Sequence, residues 1–109
     1  GRRIGLAGYS FGAMVAAEVA SGELRALALV SPSVAFSDLR VAWGCPALLL
    51  AGDADPMAPA GRLQVVAEAP GVELCIVAGA DHSWWGHEDE LGEALGEFFA
   101  NVLRTTTPA

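Results

Sequence analysis

Serine, aspartate and histidine side chains stand at the ends of three apolar runs in this chain. Ser10 lies in Gly8-Tyr9-Ser10-Phe11-Gly12, directly behind the apolar residues 4–7. Asp53 and Asp55 follow the run 46–51, and Asp81 and His82 follow the run 72–78. A serine hydroxyl is a weak nucleophile at neutral pH unless an imidazole takes its proton, and the imidazole in turn needs a carboxylate to hold its tautomer and balance its charged form. The order Ser, Asp, His supplies all three groups. The stretch around Ser10 has the pattern of a nucleophile elbow, a sharp strand-to-helix turn in which the central residue is strained and its neighbours must be small. Gly8 and Gly12 are expected to relieve that crowding. Such a turn projects the Ser10 hydroxyl above a sheet, at the positive end of a helix and beside the free N–H of Phe11.

The surrounding pattern predicts elements able to hold these groups. Residues 4–7 read as a strand, and 11–20 as a helix with Met14, Val15 and Val19 at helical spacing and Gly22 as its C-cap. Residues 24–30 are apolar except for Arg25 and stop at Ser31-Pro32-Ser33, the signature of a parallel strand buried on both faces. A short mixed segment, 34–44, separates that strand from the next, 46–51, which ends at the turn residues Gly52-Asp53-Ala54-Asp55-Pro56. A helix over 59–69, a strand over 72–78 and a final helix over 87–103 complete the outline. In the last helix Leu91, Leu95, Phe98, Phe99, Val102 and Leu103 form one apolar face, while Glu88, Asp89, Glu90 and Glu93 favour its N-terminal end. Alternating strands and helices of this kind predict an α/β architecture of about four parallel strands with flanking helices. Ligands of such sheets sit outside the carboxyl ends of the strands, where Ser10, Asp53, Asp55, Asp81 and His82 all fall.

With 109 residues, 53% of them hydrophobic, the chain suits one core, so residues 1–109 read as one domain or as part of one. A formal net charge of −7 argues against nucleic acid and against an anionic membrane as partners, and points to a neutral small molecule instead. Cys45 and Cys75 lie in or beside apolar runs without C-x-x-C spacing, which favours buried free thiols in a reducing cytoplasm over a disulfide or a metal site. Arg2-Arg3 could open a twin-arginine export signal, but Tyr9, Ser10 and Glu18 interrupt the apolar stretch that should follow. No run approaches the length of a membrane span.

Each candidate also has an ordinary structural reading. Ser10 suits a helix N-cap. Asp53 suits a solvated turn, although its position would also let it orient a histidine, and Asp81 suits an exposed loop. His87 opens an acidic helix and reads as a surface residue. Trp84 and Trp85 fit the lining of an acyl pocket as well as packing against the last helix. Asp81, His82, His87, Glu88 and Asp89 cluster in sequence without any recognised metal-ligand spacing, and Gly5, Gly8 and Gly12 match neither G-x-G-x-x-G nor the P-loop.

Three stretches together resemble the α/β-hydrolase superfamily: Gly8-Tyr9-Ser10-Phe11-Gly12, the acid loop from Gly52-Asp53-Ala54-Asp55-Pro56 to Pro59, and the histidine loop from Gly79-Ala80-Asp81-His82 to Gly86. The resemblance covers nearly all of the chain and corresponds to the family's C-terminal half, with the N-terminal strands missing. It implies Ser10 as nucleophile, Asp55 as orienting acid, His82 as general base and Phe11 N–H as half of an oxyanion hole, with no cofactor. The chain is most similar to small bacterial serine hydrolases related to dienelactone hydrolase, which itself has cysteine where this chain has Ser10. The short segment 34–44 implies an uncapped site. A serine hydrolase of carboxylic esters or related acyl compounds is therefore expected, with a non-catalytic or truncated binding domain as the alternative. On its own the chain is expected to fold poorly and to be inactive, because the double-sided apolar strand 4–7 would be an unpaired edge.

Overall fold

The computed structural model describes residues 4–20, 23–39 and 43–105, with Thr105 described by its backbone alone. The Gly22 cap and the Arg2-Arg3 pair lie outside the described residues. In chain order the elements are β1 (Ile4–Tyr9), α1 (Phe11–Val19), β2 (Leu24–Val30), β3 (Ala47–Gly52), α2 (Ala60–Val66), β4 (Val72–Val77) and α3 (Glu88–Thr105). The strands form one sheet in the order β1-β2-β3-β4, every pair parallel. This is the partial α/β architecture that the sequence pattern predicts.

Strand periodicity sorts the core into two layers. From β2 and β3, Leu27, Leu29, Ala47, Leu49 and Ala51 face one side, where Ala13, Ala16 and Ala17 of α1 and Leu63 of α2 meet them. The alanines of α1 let that helix lie close to the sheet. Trp43 joins this layer and donates its indole N–H to the Ala17 carbonyl at 3.2 Å, fastening the segment before β3 to the end of α1. The alternate residues Ala26, Ala28, Val30, Leu48 and Leu50 face the other side and are covered by Phe98 and Trp84, with Leu91, Leu95, Phe99 and Val102 of α3 around them. Cys45 packs against the first layer and Cys75 against the second, so the two thiols are free and on opposite faces, but only half-buried rather than buried as expected, because each packs at the margin of its layer. Burial pushes both thiols up from their ordinary value, and Glu73 adds to the effect at Cys75.

One expected element also changes. The helix expected over 59–69 stops at Val66, and Glu68 and Ala69 turn back with N–H bonds to the third residue before them. Pro70 biases Ala69 away from helical geometry, and Gly71, at φ +79°, swings the chain into β4. Strand β1 is the apolar edge that the sequence predicts: all six of its residues are exposed or only half-buried, and it pairs with β2 alone among the described residues. The segment 31–46, between β2 and β3, forms only turns and bends among its described residues. No described helix is long and apolar enough to cross a membrane.

Candidate active site

The carboxyl ends of β1, β3 and β4 carry the three reactive groups, and close backbone approaches bring those ends together. Behind Ser10, α1 lies so near β1 that a Cβ on Gly8 would stand 2.5 Å from the Gly12 carbonyl oxygen, so only glycine fits at position 8. At Gly12 itself a Cβ would meet nothing within 4 Å, so the expected need for glycine there does not arise from space. Between β3 and β4, a Cβ on Gly52 would lie 2.0 Å from the Ala80 carbonyl oxygen. The loop carrying Asp55 and the loop carrying His82 are thereby held together, and Ala54 N–H donates to that same carbonyl at 3.0 Å.

Ser10 takes the strained conformation of a sharp strand-to-helix turn, φ 58° and ψ −122°. Its N–H donates to the Val30 carbonyl at 2.9 Å, and its own carbonyl accepts from Ala13 N–H, starting α1. Although Ser10 occupies the N-cap position, its side chain makes no capping bond. Instead Oγ lies 2.7 Å from His82 Nε2. On the far side of the imidazole, His82 Nδ1 stands 3.0 Å and 2.9 Å from Asp55 Oδ1 and Oδ2. Because a carboxylate only accepts, Nδ1 carries the proton, and the lone pair of Nε2 faces the Ser10 hydroxyl. Asp55 is only 3% exposed, and its Oδ1 also accepts from Met57 N–H at 2.9 Å. Burial beside two donors keeps this carboxylate directed at His82 rather than at water.

The neighbouring candidates serve other ends. Asp53 Oδ1 accepts from Gly79 N–H at 2.8 Å and Asp81 Oδ1 from Ser83 and Trp85 N–H, so both acids close loop turns and neither bonds His82. His87 sits before α3 with Nδ1 2.6 Å from Glu90 Oε1. The sequence cluster of possible metal ligands is thus divided, and no group of three such residues converges among the described residues. Of the two adjacent tryptophans, Trp84 is core, 2% exposed, and Trp85 is surface, 82% exposed. A cleft of about 580 Å³ beside α2, lined by Val34, Leu39, Arg62 and Val66, includes none of Ser10, Asp55 and His82.

Sequence reasoning missed two contacts. The Tyr9 hydroxyl donates to the His82 carbonyl at 2.5 Å, and its ring lies 5.6 Å from the imidazole at a 31° tilt. Burial, then the nearby Asp55 and Asp81 carboxylates, push the phenol up from its ordinary value, so it stays a donor into alkaline pH. Trp84 Nε1 donates to Ser31 Oγ at 2.9 Å, joining the end of β2 to the histidine loop. Ser31 and Trp84, at φ 47° and 59°, share with Ser10 the left-handed backbone region, so strain gathers at this one edge of the sheet. An aromatic residue beside the serine and a serine ending a buried strand were the available signals, but neither names its partner.

No protein-family model matches the chain, and no curated protein matches it. Solved structures do. A putative α/β hydrolase of unknown function from Agrobacterium tumefaciens is 25% identical, over 94% of this chain and 52% of its own, with a TM-score of 0.83. An α/β serine hydrolase homologue from Coxiella burnetii is 29% identical, over 96% of this chain and 50% of its own, with a TM-score of 0.70. A lidless α/β serine hydrolase from Xanthomonas campestris is 25% identical, over 98% of this chain and 49% of its own, with a TM-score of 0.71. This chain therefore spans about half the length of the structures it matches. With its parallel sheet, its strained serine turn and this agreement over nearly its whole length, the chain carries a partial form of the α/β-hydrolase fold and is similar to solved α/β hydrolases throughout.

Proposed function

We propose that this chain supplies the catalytic triad of a serine hydrolase acting on carboxylic esters or related acyl compounds, with Ser10 as nucleophile, His82 as general base and Asp55 as orienting acid. The observation that carries the reading is the unbroken hydrogen-bonded line from Ser10 Oγ through the imidazole to the buried Asp55. Serine hydrolase homologues among the similar structures support it.

In the first half-reaction Ser10 Oγ attacks the acyl carbon while its proton passes to His82 Nε2. The imidazolium is balanced by Asp55, which remains ionised. Negative charge developing on the carbonyl oxygen is met by Phe11 N–H, at the start of α1 where helical N–H groups have no acceptor within the helix. Collapse of the tetrahedral intermediate breaks the bond to the leaving alcohol, which takes the proton from His82. In the second half-reaction water gives its proton to His82, attacks the acyl group on Ser10, and the acid departs as the serine is reprotonated. This chemistry needs no cofactor. A small neutral acyl compound is the partner that fits the acidic chain, the segment between β2 and β3, which forms only turns and bends among its described residues, favours an uncapped site, and the free thiols favour a reducing cytoplasm.

A second reading, a non-catalytic or truncated binding domain, draws on the exposure of β1 and on the half-length match to solved structures. One experiment separates the two. In the complete protein, a fluorophosphonate probe should label Ser10 and a short-chain p-nitrophenyl ester should be hydrolysed, and Ser10→Ala should abolish both. Absence of labelling in the wild type supports the second reading; labelling and turnover that persist in Ser10→Ala assign the nucleophile elsewhere.

A further inference from the structure

We propose that Tyr9 is a positioning residue for His82, holding the base to the strand that carries the nucleophile; the proposal rests on the triad reading above. His82 leaves the sheet on a loop after β4, while Ser10 leaves it after β1, at the opposite edge with β2 and β3 between them. Asp55 and Ser10 clamp the two nitrogens of the imidazole, but a ring held only at its tip can swing with its backbone. Among the described residues the one hydrogen bond to the His82 main chain is that from the Tyr9 hydroxyl, 2.5 Å from the carbonyl oxygen.

The covalent neighbour of Ser10 is thus the group that fixes the histidine. Adjacent Cα atoms are held about 3.8 Å apart by the peptide bond. A shift of β1 therefore moves the nucleophile and the anchor of the base together. This matters because β1 is the most exposed strand of the sheet, where the Ser10 to His82 distance would otherwise be the loosest of the triad. The phenol ring has a second effect. At 5.6 Å and 31° it covers one face of the imidazole, where its electron-rich surface favours the cation formed when His82 takes the serine proton. Burial first, and then the neighbouring Asp55 and Asp81 carboxylates, push the phenol up from its ordinary value, so it keeps the proton that it donates to the His82 carbonyl.

Tyr9→Phe removes one oxygen from a side chain that is 46% exposed, so the fold should survive it. In the complete protein, kcat and the rate of fluorophosphonate labelling should both fall about 10-fold, as expected for a lost hydrogen bond that sets catalytic geometry. KM and the thermal midpoint should stay near wild type. Tyr9→Leu, which removes the ring as well, should fall further. Wild-type labelling and turnover in Tyr9→Phe would overturn the proposal, as would a loss of rate that only follows a loss of thermal stability. The downfield proton resonance of His82 Nδ1–H supplies a measurement that does not depend on turnover. It should exchange faster with water in Tyr9→Phe, and unchanged exchange overturns the anchoring role. Failure of the triad reading would show separately, as labelling that persists in Ser10→Ala.

Discussion

Strands β1 and β3 have similar sequences, Ile-Gly-Leu-Ala-Gly-Tyr and Ala-Leu-Leu-Leu-Ala-Gly, and opposite surroundings. All six residues of β3 are buried, between β2 and β4 and under helices on both faces, whereas β1 is buried nowhere along its length. The proposed acid is rooted in the first and the proposed nucleophile in the second. Asp55 is held by a neighbourhood that opens only with the core. Ser10 depends on its bond to Val30, on the close seat of α1 and on the Tyr9 contact with the histidine loop. The difference separates two ways of holding a reactive group: by the density of the interior around it, or by a few directed contacts at an edge.

The sharpest contrast lies within the loop after β3. Asp55→Asn should lower kcat by about 10⁴-fold, since a neutral amide no longer balances the imidazolium and its NH₂ can donate to Nδ1, which favours the wrong tautomer. Asp53→Asn, which loses only part of its bond to Gly79, should stay within about 10-fold of wild type. Steady-state hydrolysis by the complete protein measures both, and a larger loss at Asp53 would move the acid two residues back.

Next in size is the stability contrast between the strands. Leu49→Ala opens a cavity at a residue with no exposure and should destabilise the fold by about 2–5 kcal/mol. Ile4→Ala on β1, where the side chain is 40% exposed, should cost no more than about 1 kcal/mol. Urea denaturation measures both. Equal losses would mean that β1 is as enclosed as β3.

The smallest effects test the seat of the serine turn, and they differ in sign. Gly8→Ala drives a methyl into the Gly12 backbone and should cost about 1–3 kcal/mol, with a drop in labelling of Ser10. Gly12→Ala faces open space on a helix and should stabilise by up to about 1 kcal/mol through helix propensity. Thermal denaturation of the two variants reads the difference, and a destabilised Gly12→Ala would show that the crowding involves both glycines.

Much of this molecule is legible from local chemistry. Apolar runs bounded by glycine, proline and aspartate mark the four strands, because a parallel strand buried on both faces needs continuous apolar residues and its turns need residues with special backbone freedom. The same runs put Ser10, both loop aspartates and His82 at one edge of the sheet, because parallel strands all end on the same side. Other features required tertiary structure, since they depend on distances that sequence separation does not encode. Asp53 and Asp55 are the same residue type in one loop, and only the approach of Gly52 to Ala80 turns Asp55 inward to the imidazole and leaves Asp53 bonded to Gly79. Tyr9 and His82 are 73 positions apart, Ser31 and Trp84 53 apart, and each pair meets because the sheet sets their strand ends side by side. The exposure of β1 lay beyond its own residues for the same reason: a strand's composition states what it can bury, and its neighbours decide what it does bury.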